Sequence, residues 1–219
     1  MQQDSSVIER VRRALGRTAP LATPPVPPAI DESITRLTRT DVDLAELFVK
    51  RAGELKMVVE RTSRDALVER ITAFLREKGC RKVVLSVCEL FEDLSLIDAL
   101  RIAGIDATRW DQTSLDAIYD GYDCGITDVT YAVAETGSLV IKTTANHGRG
   151  ISLVPIFHVA VVESGNLVPD LIDLFTRLAE EGPGNHVLLI SGPSKTADIE
   201  MNVVTGVHGP NVVKAFVLG

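Results

Sequence analysis

Three short segments of this sequence set reactive side chains beside glycines. The first is Ala134-Glu135-Thr136-Gly137-Ser138, which places a carboxylate, two hydroxyls and a glycine between two apolar runs. Gly137 permits a tight turn or a close backbone approach, so Glu135 can point into a cleft at the strand ends. An ordinary polar hairpin turn would use the same residues. The second is Thr144-Ala145-Asn146-His147-Gly148-Arg149-Gly150. Its donors Arg149 and His147 can hold an anion and its glycines can hinge a lid; a plain surface loop has the same composition. The third, Ser191-Gly192-Pro193-Ser194-Lys195-Thr196-Ala197-Asp198-Ile199-Glu200, leaves an apolar run directly. Ser194 and Thr196 suggest a helix start, and a helix N-terminus beside Lys195 makes an anion site.

The segment that follows, Val207-His208-Gly209-Pro210-Asn211, can fold His208 back towards Asp198 and Glu200. Pairing with a carboxylate would orient the imidazole for acid–base work, with a structural hydrogen bond in the Gly-Pro turn as the alternative. The spacing Asp198-x-Glu200 lacks the i, i+4 geometry of zinc-binding helices, so no metal is expected. Neither GxGxxG nor GxxxxGK[ST] occurs. The three cysteines, Cys80, Cys88 and Cys124, form no CxxC pair and read as small buried hydrophobes. His158 and His186 fall within apolar runs and read as core histidines.

These segments need a frame, and the apolar pattern supplies one. Runs at 82–87, 124–127, 131–134, 138–143, 156–162, 186–191 and 212–218 read as strands. Helical patterns at 41–52, 63–78, 93–103, 114–120 and 169–181 alternate with them. That alternation predicts an α/β domain with strands 82–87, 124–127, 156–162, 186–191 and 212–218 in one mainly parallel sheet, helices on both faces. Between 124 and 162 there is no room for helices, so a short antiparallel excursion interrupts the pattern. Near the start, Val7, Ile8, Val11 and Leu15 share a helical face opposite Arg10, Arg12 and Arg13. Five prolines within 19–28 then form a strap, so residues 1–30 read as an arm: either a poorly ordered terminus or a docking element for a partner or a second copy of the chain. Removing the arm should leave the stability of the remainder within about 1 kcal/mol, measured by thermal melting of the truncated chain.

Composition narrows the function. The 219 residues are 45% hydrophobic and 24% charged, which excludes wholesale disorder. With 23 Lys and Arg against 30 Asp and Glu, the net charge of −7 disfavours nucleic acid and anionic membrane. No apolar run approaches the ~20 residues of a membrane span. The polar start MQQDSSVIERVRRALGR lacks a signal-peptide core, which makes a cytoplasmic address the expectation.

AETGS (134–138), SGPSKTADIE (191–200) and GVHGP (206–210), in this order, resemble the LUD domain family of lactate utilization proteins. The arm with RVRRALGR and its Pro-rich strap looks like the protein C branch of that family. The resemblance spans essentially the whole chain, with 1–30 as arm and linker and 41–219 as the LUD-like α/β domain. One departure is Lys195, where the motif carries Arg; charge is kept and the planar fork is lost. The resemblance implies a three-layer α/β/α Rossmann-like sandwich of the ribose-5-phosphate isomerase and CoA transferase type. It also implies a subunit of a system oxidising L-lactate to pyruvate, acting with iron–sulfur partner proteins and binding a small anionic ligand. By analogy with CoA transferases, Glu135 would be catalytic. Glu135 and His208 are then the candidate proton-handling residues; Gly137, Arg149, Ser194, Lys195, Thr196, Asp198 and Glu200 are the candidate ligand contacts; Glu135, Lys195, Asp198, Glu200 and His208 are expected to converge at the carboxyl end of the sheet. This chain offers no electron carrier of its own, so clusters belong to the partners. The alternative is a freestanding transferase or isomerase acting on an acyl-CoA or phosphosugar.

Overall fold

The structure is a computed structural model and describes residues 4–17, 31, 36, 43–182, 184, 186–197, 203–205 and 209–219. Asp198, Glu200 and His208 lie outside the described residues. Residues 1–35 and 36–219 form two separate units. In the first, helix α1 (Asp4–Ala14) presents Arg12 and Arg13 in its last turn, matching the amphipathic helix expected from the pattern.

The second unit is α/β. Its main sheet has six strands, all parallel: β1 (Val58–Thr62), β2 (Lys82–Leu85), β3 (Asp106–Arg109), β4 (Cys124–Asp128), β7 (Phe157–Glu163) and β12 (Val212–Leu218), in the order β1-β12-β7-β4-β2-β3. Residues alternate between its faces, as the pleat requires. On one face Val83, Leu85, Ile126, Val159, Val161 and Phe216 pack under helices α3 (Arg64–Glu77), α4 (Glu89–Asp93) and α5 (Leu96–Ile102). Two of the main helices have a local reason to start: Asp43 caps α2 (Leu44–Glu54) by accepting from the amides of Ala45 and Glu46, and Ser63 caps α3.

The opposite face meets a second, mixed sheet built from β5 (Tyr131–Val133), β6 (Ser138–Lys142), β8 (Leu167–Val168) and β9 (Val187–Ile190), in the order β8-β5-β6-β9. Ala132, Ala134, Ala160 and Ala215 line the contact together with Phe48 of α2, and their small side chains let the two sheets approach. The outer face of the small sheet, Tyr131, Val133, Val140 and Val168, is covered by Leu174 and Leu178 of α8 (Leu171–Glu181). Where the small sheet stops, α6 (Leu115–Gly121) and α7 (Gly150–Leu153) take over, closing Ile118 and Ile151 onto Val84.

The expected antiparallel excursion is thus present as the β5–β6 hairpin. The run at 186–191, expected in the parallel sheet, instead pairs antiparallel with β6, Ile141 opposite Leu188. An apolar run states that a strand is buried but not which neighbour buries it. The helix expected after Ser194 is also replaced: Lys195–Ala197 (β10) pairs antiparallel with Val203–Thr205 (β11). Val203, Val204 and Thr205 are all β-branched and suit such a ladder. No helix among the described residues is long and apolar enough to cross a membrane.

Candidate functional site

The motif segments meet at one end of the domain. Gly137 adopts a φ of +62°, and a Cβ there would stand 2.4 Å from the Ala52 amide nitrogen, so the turn after β5 lies directly on the last part of α2. A Cβ on Gly192 would stand 2.4 Å from the Leu55 carbonyl oxygen. That same carbonyl accepts from the exposed Lys195 Nζ at 3.4 Å. Hydroxyls link the two motifs: Thr136 Oγ1 lies 2.8 Å from Ser138 Oγ, which lies 2.7 Å from Ser191 Oγ. The Ser194 amide donates to the Pro210 carbonyl at 2.9 Å, bringing in the final motif segment. Glu135 is half-buried on the same turn as Gly137, its amide donating to the Pro169 carbonyl at 3.0 Å.

This assembly sits at the amino end of the parallel sheet, since Leu55 precedes β1 and Pro210 precedes β12. The expectation of convergence at the carboxyl end is therefore corrected for Glu135, on the Gly137 turn against α2, and for Lys195. The strand at Lys195–Ala197 also removes the helix N-terminus proposed to assist Lys195. Arg149 is exposed ahead of α7 and contributes its backbone carbonyl to Ser152.

The carboxyl end carries a different constellation. Strand order reverses between β2 and β4: the chain moves outward from β2 to β3, then returns to the other side of β2. In open α/β sheets ligands bind in the crevice at such a switch point. Here the two strand ends are tied by a reciprocal pair, Ser86 Oγ donating to Asp128 Oδ1 at 2.5 Å and the Asp128 amide donating to Ser86 Oγ at 3.1 Å. His147 Nδ1 lies 3.4 Å from the same carboxylate oxygen, and the Val87 amide donates to the Asn146 carbonyl at 3.0 Å, which pins the 144–149 loop over the crevice. Burial alone would push the Asp128 pKa up; hydrogen bonds from His147 and Ser86 outweigh it and hold the carboxyl below its usual range. Asp128 stands between the serine and the histidine, so the imidazole does not receive the serine proton and a nucleophilic-serine triad is not formed. Burial, with the Asp128 charge beside it, pushes the Cys88 thiol up to about 12, so it is neither a thiolate nucleophile nor a ready metal ligand.

Behind this cluster His158 is fully buried, with Nε2 2.9 Å from Thr127 Oγ1. Its burial agrees with the core assignment, whereas His186 is exposed just ahead of β9. The sequence reading placed His147 in a donor-rich loop but did not single out Ser86 or Asp128. The available signal was that each directly follows an apolar strand.

A mainly parallel α/β domain with a polar cluster at its switch point and glycine-bearing turns joined at the opposite end belongs to the Rossmann-like class of α/β folds. The chain matches the LUD domain over residues 45–218 and belongs to that family. It is 30% identical to Lactate utilization protein C of Halalkalibacterium halodurans over 175 residues, covering 76% of this chain and 75% of the relative. It is 31% identical to Lactate utilization protein C 1 of Bacillus mycoides over 161 residues, covering 69% of each. A crystal structure of a DUF162 family protein from Deinococcus radiodurans shares the fold, with a TM-score of 0.58 at 21% identity over 80% of this chain and 96% of that one.

Proposed function

We propose that this chain serves lactate utilization as a subunit that works with iron–sulfur partner proteins and holds a small anionic ligand on the motif face. Relatives named for lactate utilization support the role. The observation that carries the ligand assignment is Lys195: an exposed ammonium whose long bond, 3.4 Å, runs to the Leu55 carbonyl, in the motif segment whose Ser191 pairs with Ser138 at 2.7 Å. Lys195 and the Ser194 hydroxyl would hold the carboxylate of lactate or pyruvate, and Gly137 would keep the floor of the site close to α2. Glu135 would accept the hydroxyl proton, with His208 as the second candidate and Asp198 or Glu200 orienting it; the Cα hydrogen would leave as a second proton as its bonding pair passes out as the two electrons; Thr196 adds a hydroxyl donor. Electrons would leave to a partner's cluster, because the cysteines of this chain make no ligand set: Cys80 and Cys124 are buried in the core and the Cys88 thiol is pushed up to about 12.

Binding tests this reading. Lys195→Ala should weaken lactate or pyruvate binding roughly tenfold to a hundredfold, the loss expected for a charge-assisted hydrogen bond. His208→Ala should also impair binding or lactate-dependent growth, and both variants should melt close to the unaltered protein. Co-purification from native cells, followed by iron analysis, should recover cluster-bearing partners. Unchanged affinity in both variants would refute the ligand site; turnover of a phosphosugar or acyl-CoA by the purified chain alone would favour the freestanding transferase or isomerase instead.

A further inference from the structure

The crevice at the carboxyl ends of β2 and β4 has no part in the reading above. We propose that it is a second binding site, for a small uncharged molecule bearing several hydroxyl groups, such as a polyol or monosaccharide, which Asp128 receives.

Four observations carry this. The crevice lies at the topological switch point of the sheet, where the strand ends splay and leave room. Two cavities open there, of about 290 Å3 beside Ser86 and Arg109 and about 430 Å3 beside Asp128 and Glu163, with Cys88 lining both. Asp128 reaches this space: its side chain is 39% exposed, although Ser86 and His147 both bond it. His147 is buried and holds Asp128 from the loop side, Nδ1 3.4 Å from the carboxylate oxygen, so a molecule bound to Asp128 alters the surroundings of this imidazole.

Charge then selects the ligand. Both arginines at the crevice are already paired, Arg64 with Asp93 at 2.5 Å and Arg109 with Glu92 at 3.1 Å and Asp111 at 2.9 Å. The larger cavity is lined by one arginine, Arg64, against four carboxylates, Glu89, Asp93, Asp128 and Glu163, and Arg64 is engaged by Asp93. An anion would meet net negative charge, so lactate or a phosphorylated compound is excluded from this end on Coulombic grounds. Hydroxyl groups suit it: they donate to the carboxylates, and their carbon skeleton can rest on Phe91 and Leu96, which line the smaller cavity.

The test uses the full chain with 15N-labelled histidine, its four imidazoles assigned by single substitution. Titration with glycerol, sorbitol and glucose should shift the His147 resonance in a saturable way and leave His186 and His208 unmoved. Asp128→Asn should weaken that binding at least tenfold while lactate affinity at the motif face stays unchanged. Because Asp128→Asn can loosen the β2–β4 tie, Glu163→Gln, on an exposed residue with no bond to that tie, is measured beside it and should weaken binding severalfold with the melting temperature preserved. The proposal is overturned if no hydroxylated compound moves His147, if glucose 6-phosphate binds there more tightly than glucose, or if an alkylammonium ion does so. Loss of lactate binding in Lys195→Ala with polyol binding intact would separate this site from the first.

Discussion

Lowering the pH from about 6.5 to about 4 should destabilise this protein by about 3 kcal/mol through one residue, His158. Its imidazole is fully buried, and burial, with His147 close by, pushes its pKa down from 6.5 to about 3. The unfolded chain therefore takes up a proton over a range in which the folded chain does not. Stability is full above the unfolded value near 6.5 and declines as the pH falls towards 3, at about 1.4 kcal/mol per unit. Asp128 acts in the same sense further down: its folded pKa lies below the ordinary carboxylate value, so its contribution disappears as acid protonates it. Urea titrations at neutral pH, near pH 5.5 and near pH 4 measure the slope. His158→Gln keeps a group that can bond Thr127 and removes the titration, so it should flatten the acid limb. An identical slope in the variant would show that the imidazole is not held neutral.

Gly125→Ala should cost about 3 kcal/mol or more and lower the melting temperature by roughly 6–12 °C. Gly125 lies inside β4, where α7 crosses it, and an added Cβ would stand 1.7 Å from the Ile151 carbonyl oxygen and 2.7 Å from its carbon. Both are backbone atoms and cannot rotate aside, so α7 must lift and open the contact between Ile151 and Val84. Gly53→Ala is the control: nothing lies within 4 Å of its added Cβ, and the site is inside α2, so it should gain about 0.5–1 kcal/mol. Equal melting of Gly125→Ala and the unaltered chain would mean that α7 does not rest on β4.

By itself the sequence determined the class of fold, because periodicity is local. Apolar runs such as KVVL and FHVAVV between capped amphipathic helices are enough to require a buried, mainly parallel sheet, and the spacing from 131 to 142 leaves only a hairpin. Family membership was legible for a similar reason, since SGPSKTADIE is contiguous. Tertiary structure alone decided where the chemistry stands. Val187–Ile190 is as apolar as a central strand of the main sheet, yet it joins the second sheet, and that choice carries Ser191 and Lys195 to the amino end beside Leu55. Ser86 and Asp128 are 42 residues apart and meet only because β4 returns to the inner side of β2. No spacing along the chain encodes that meeting. Strand order follows from which faces bury one another, and the polar residues at the strand ends are gathered by that burial.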